Sequence, residues 1–195
     1  MVSKTREKLI EVARQLFVYK GVENTTMNDI ATASDKGRRT IYTYFKNKRE
    51  IFDAVIERQS NAVIKHLESI VDDPEKSPEN KLREYLIIRF DIVAVSSPKP
   101  YRPRLMFSRD NKRTEKIYRM AVTKERELFD RLLRNGIESG AYAPDKVSEV
   151  KAIIAMAMFT SDYCYSHQNF DSLNYDPEWL RTNLINGIIS IILKK

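Results

Sequence analysis

Apolar side chains recur three and four residues apart along almost the whole chain, and no stretch keeps up the period-two alternation of a half-buried strand. That periodicity restricts the chain to an all-α fold. With 5 glycines in 195 residues, few positions can interrupt the helices. The first helix is expected from about Lys4 to Tyr19, with Leu9, Val12, Ala13, Leu16 and Phe17 on one stripe and Gly21 as its stop. Thr26 and Asp29 have the spacing of a capping box and open a short second helix through Ile30, Ala31 and Ala33. Ser34 to Gly37 reads as a turn, and a third short helix spans about Arg38 to Phe45. Asn47 and Glu50 then give an N-cap signal for a long fourth helix carrying Ile51, Phe52, Val55, Ile56, Val63 and Leu67. Further helices are expected at about Lys81 to Val95, Asn111 to Asn135, Asp145 to Gln168 and Pro177 to Lys195, with proline-bearing breaks at 71–80 and 96–104. Three helices within 50 residues make a compact N-terminal unit, so the expected boundaries are 1–47 for that unit and 48–195 for a C-terminal helical domain.

Charge is concentrated at the same end. Residues 1–50 hold 11 Lys/Arg against 6 Asp/Glu, so +5 of the net +7 lies in the first quarter. Such asymmetry points to an anionic partner, nucleic acid or lipid headgroups. A membrane span needs roughly 20 apolar residues, and the longest apolar run, Leu184 to Leu193, is about half that. The charged start has no apolar signal core, and Cys164, the single cysteine, can form no internal disulfide. A cytoplasmic protein without a membrane partner is the expectation.

The densest concentration of chemistry is GRRTIYTYFKNK, residues 37–48. At about 100° per residue, Ile41 and Phe45 share one face, with Arg39 and Thr43 nearly opposite and Tyr42, Thr40 and Tyr44 on the flanks. The buried pair anchors the helix and leaves cations, hydroxyls and phenols outside. Arg can fork onto guanine in a major groove, a Thr methyl can touch thymine, and Tyr hydroxyls and Lys can bind phosphates. Lys48, in the first turn of the next helix, could join that helix's N–H groups on a phosphate. A short basic amphipathic helix can also be merely solvated. Here it follows a helix and a turn braced by a further helix, the arrangement of a helix-turn-helix.

The segment from Thr25 to Phe52 closely resembles the DNA-binding signature of the TetR family of bacterial transcriptional regulators. The matching features are Gly21, Thr26, Ile30-Ala31, Thr40-Ile41-Tyr42, Phe45 and Lys48. Family members commonly carry Gly and then Ser in the turn, where this chain has Asp35 and Gly37, so the recognition helix lacks a hydroxyl cap. Gly is a tolerable N-cap, and the cost should be modest. The family's frequent Gly before Thr is Arg39 here, which suits a guanine contact. The candidate DNA contacts are Thr26, Arg38, Arg39, Thr40, Tyr42, Thr43, Tyr44 and Lys48. What the resemblance implies is a ligand-responsive repressor, bound to a palindromic operator in double-stranded DNA as a homodimer, with a variable C-terminal domain that dimerises through its last two helices. An activator using the same contacts, or a small-molecule-binding protein without DNA affinity, remains an alternative.

In the final helix Leu180, Leu184, Ile185, Ile188, Ile189, Ile191, Ile192 and Leu193 cover more than one stripe, so one packed face should not hide them all. The small-residue stripe Ile153, Ala157, Thr160 and Cys164 would allow close approach of a second subunit, and the expected interface joins it to Leu184, Ile188, Ile191 and Ile192. For a ligand, Met156, Phe159, Tyr163 and His167 share a face, with Phe90, Met106, Phe107 and Tyr118 on neighbouring elements and Asp162 as a polar anchor. This lining suits a small hydrophobic or cationic molecule, although each residue also fits an ordinary core position. Neither His66 nor His167 has a second ligand at metal spacing, so no metal or cofactor is expected. No nucleophile elbow or phosphate-binding glycine loop supports an enzyme.

Overall fold

The computed structural model describes residues 4–94, 112–167 and 176–193. Every element among them is helical: α1 (Lys4–Lys20), α2 (Met27–Ala33), α3 (Arg38–Tyr44), α4 (Lys48–Val71), α5 (Pro78–Ala94), α6 (Lys112–Glu138), α7 (Pro144–His167) and α8 (Pro177–Ile192). No described helix is long and apolar enough to cross a membrane.

Two compact units divide the chain. The N-terminal one runs to Ala62 and takes in the start of α6, as far as Ala121. This differs from the 1–47 boundary because the first half of α4 belongs to its core. Ile51, Phe52, Ala54, Val55 and Ile56 pack with Leu9, Ile10, Ala13 and Phe17 of α1, with Ile30 and Ala31 of α2, and with Ile41 and Phe45. The Phe17 and Phe52 rings meet edge to face, 5.9 Å between centroids. Asp53, buried in the same unit, accepts a hydrogen bond from the Thr114 hydroxyl on α6.

The second unit holds the end of α4, α5, the remainder of α6, α7 and α8. Tyr85 on α5 packs its ring against Phe129 and donates its hydroxyl to the Glu125 carbonyl at 2.8 Å. Arg89 is ion-paired with Glu125 in a nearly water-free setting. Tyr142 crosses over Gly136 and donates to the Pro78 carbonyl, and a Cβ added at Gly136 would lie 1.9 Å from its ring.

The apolar surplus of the last helix is absorbed inside the subunit. α8 packs against both α5 and α7, and two neighbours cover two stripes. Ile185, Ile188, Ile189 and Ile192 are consequently buried, Leu184 is half-buried, and Ile191 alone of these is exposed. Ile188 and Ile192, at 1% and 0% exposure, are therefore core residues rather than the dimer contacts expected from sequence.

Candidate nucleic-acid interface

The helix-turn-helix is fixed by caps a few residues long. Gly21, at φ +83°, closes α1, with its N–H on the Phe17 carbonyl at 3.1 Å. Thr26 caps α2: its hydroxyl oxygen accepts from the Asp29 N–H at 3.1 Å, and the Asp29 carboxylate accepts the Thr26 N–H at 2.8 Å. α2 ends in a Schellman arrangement, with the Lys36 N–H on the Ala31 carbonyl at 2.9 Å and the Asp35 N–H on the Thr32 carbonyl at 3.0 Å. Asp35 takes the left-handed position at φ 55°, where glycine is most at ease. Gly37 caps α3 with extended backbone and no side-chain bond, as expected.

On α3, Ile41 and Phe45 are 0% and 3% exposed, and Arg38, Arg39, Tyr42 and Thr43 lie outside. The Arg38 guanidinium sits 5.9 Å from the Tyr42 ring centroid, which partly orders two long side chains before any partner arrives. Thr43 donates its hydroxyl to the Arg39 carbonyl, so its oxygen can only accept and its methyl is left for apolar contact. Thr40 is half-buried. Nearby carboxylates are tied up internally. Asp29 takes bonds from the Thr26 N–H and hydroxyl and then from Lys20, which hold it below the usual carboxylate range, and Glu50 accepts the Lys46 N–H at 2.8 Å. Asn47 accepts the Glu50 N–H at 3.0 Å, giving α4 the N-cap read from sequence.

Three expected contacts need revision. Tyr44 lies three residues after Ile41, beside the buried face, and is half-buried against the N-terminal core rather than fully outward. The Thr26 hydroxyl both accepts from and donates to Asp29, so its first role is the cap. Lys48 directs its ammonium to the Val22 and Glu23 carbonyls at 2.7 and 3.1 Å rather than to open solvent. Sequence reasoning also missed Arg6, whose guanidinium lies 5.2 Å from the Phe45 ring centroid. No local spacing reveals that pair.

The family described as "Bacterial regulatory proteins, tetR family" matches residues 9–55, the segment whose geometry is given above. The HTH-type transcriptional repressor BepR of Brucella suis biovar 1 (strain 1330) is 25% identical over 192 residues, covering 92% of this chain and 90% of BepR. Residues 9–55 are thus similar to the TetR family. The probable acrEF/envCD operon repressor of Escherichia coli (strain K12) is 37% identical over 91 residues, 47% of this chain and 41% of that relative, so this match spans less than half the relative's length. The fold is also that of the fatty acid degradation regulator FadR from Bacillus halodurans, with a TM-score of 0.72 at 18% identity over 97% of this chain and 96% of that one.

Of the residues expected to hold a ligand, Phe90 and Met156 have side chains among the described residues. Phe90 lies in the C-terminal core, and Met156 is 67% exposed. Phe107 lies outside the described residues, as do the side chains of Tyr118, Phe159, Asp162, Tyr163 and His167 and, from the expected interface, those of Ala157, Thr160 and Cys164. Ile153 is exposed on α7.

Proposed function

We propose that this chain is a homodimeric transcriptional regulator that represses by occupying a palindromic operator, with α3 of each subunit in a major groove. One observation carries the reading: a seven-residue helix anchored by Ile41 and Phe45 turns Arg38, Arg39, Tyr42 and Thr43 to solvent. Those side chains supply guanidinium forks, a phenol and a methyl, the groups that read base edges and grip phosphates. Both named relatives are repressors, which favours repression over activation. Regulation of transcription places the protein with DNA in the bacterial cytoplasm, and the family is one of regulators rather than enzymes.

Two-fold symmetry supplies the second reading head, about 34 Å from the first. Ile153 and Met156 on α7, with Trp179 and Ile191 on α8, are the exposed apolar side chains that support dimerisation through the last two helices. A hydrophobic or cationic effector would act by favouring a head spacing the operator does not match.

Fluorescence anisotropy with duplexes from the promoter adjoining the coding region tests the DNA reading. Affinity should fall steeply between low and physiological salt as phosphate contacts displace counterions. Arg39→Ala should relax preference for guanine at one operator position at a cost of about 1–3 kcal/mol. A salt-independent curve, or no preference among duplexes, rejects the proposal.

A further inference from the structure

We infer that Lys48 is a positioning residue for DNA reading rather than a phosphate contact. Val22 and Glu23 lie just before α2, and Lys48 opens the helix just after α3. The two bonds from its ammonium therefore join both ends of the segment that contains α2, the turn and α3, across 26 and 25 residues. Both are charge-assisted hydrogen bonds, and the one to Val22, at 2.7 Å, is short and partly withdrawn from water.

The acceptor end of this clasp is itself held in place. The Val22 carbonyl also accepts the Thr25 N–H at 3.3 Å, and the buried Thr25 hydroxyl donates to the Gly21 carbonyl at 2.7 Å. Thr26, the cap of α2, follows directly. Because α2 and α3 have seven residues each, neither keeps its orientation by its own helical stability. The clasp fixes the entry to α2 relative to the exit from α3, and so fixes the angle at which Arg39 and Thr43 are presented. With two of three ammonium donors spent on carbonyls, Lys48 keeps its charge but has one donor left for any phosphate, and its bonds serve mainly to hold the segment.

The inference rests on the DNA-binding reading, and the experiment separates the two. A duplex selected by the wild-type chain from a random-sequence pool, and a scrambled duplex of equal length, are titrated against wild type and Lys48→Met across a salt series. Loss of the clasp should weaken the selected duplex about tenfold, the effect of roughly one lost base contact, while the scrambled duplex stays within about twofold and the salt slope is unchanged. Equal weakening of both duplexes, with the slope falling by about 0.9, would make Lys48 a phosphate contact and overturn the inference. A wild-type chain that selects no duplex defeats the DNA-binding reading and the inference with it. Should Lys48→Met not fold, the ammonium proton resonance of Lys48 in the wild-type chain decides the matter: it should be observable without DNA and unmoved on adding the selected duplex, and a shift on binding overturns the assignment.

Discussion

The two units are stabilised over different distances along the chain. In the N-terminal unit the ends of the short helices are formed mostly by bonds spanning three to five residues, the Thr26–Asp29 box, the Schellman turn at Asp35 and the Asn47–Glu50 cap of α4, and longer bonds from Lys48 and between Thr114 and Asp53 tie the helices together. In the C-terminal unit the comparable bonds join Tyr85 to Glu125, Tyr142 to Pro78 and Arg83 to Asn186, across 40, 64 and 103 residues. A short reading helix takes its shape from neighbouring residues, while a packed bundle takes its shape from partners the chain meets only after collapse. Substitutions should therefore act through caps and one anchor pair in the first unit, and through buried polar or close-packed partners in the second.

The largest effect tests the second unit. Glu125→Ala removes a carboxylate ion-paired with the buried Arg89, and chemical denaturation should show a loss of about 3–5 kcal/mol. Replacing both partners by Met and Leu should recover most of it, because the pair stabilises mainly by cancelling its own desolvation. Next comes the anchor of the reading helix. Ile41→Ala should cost about 2–5 kcal/mol and abolish selective DNA binding, read by circular dichroism and anisotropy together.

Gly136→Ala sets local against non-local directly. Helix propensity alone predicts a gain of about 1 kcal/mol, but the new methyl would overlap the Tyr142 ring, and overpacking costs about 1–3 kcal/mol. A lower melting temperature is expected, and a higher one would break the contrast. Thr26→Ala should cost about 1 kcal/mol through the lost cap. Its partner Asp29 adds a pH signature. A carboxylate held below its unfolded value of about 3.9 stabilises the fold above that pH and loses this contribution as pH falls through the lower folded value, an acid step that Asp29→Asn should remove. The smallest effect has the opposite sign. Asp35→Gly should stabilise by about 0.5 kcal/mol, since relief of the left-handed backbone slightly exceeds the added chain entropy of glycine.

Helix number and order were legible because each helix has a continuous apolar stripe and a break marked by Gly, Pro or a capping residue. The capping box at Thr26, the N-cap at Asn47 and the bare Gly37 cap are local chemistry and were readable in the same way. The outward set on α3 was readable for Arg38, Arg39, Tyr42 and Thr43, because 100° per residue separates them from Ile41 and Phe45. Tyr44 proved half-buried, since a position three residues from a buried anchor can fall either way until neighbouring helices close over it.

Periodicity along one helix determined that the chain is all-α and which face of α3 is turned outward. Tertiary structure alone decided that Lys48 reaches back to Val22 and Glu23, that the isoleucines of α8 are shared between α5 and α7, and that Tyr142 needs a glycine at 136. The physical reason is range. A helix repeats every 3.6 residues, so its faces are set by adjacent residues, whereas an ammonium, an isoleucine surplus or a ring meets its partner only where distant segments pack together.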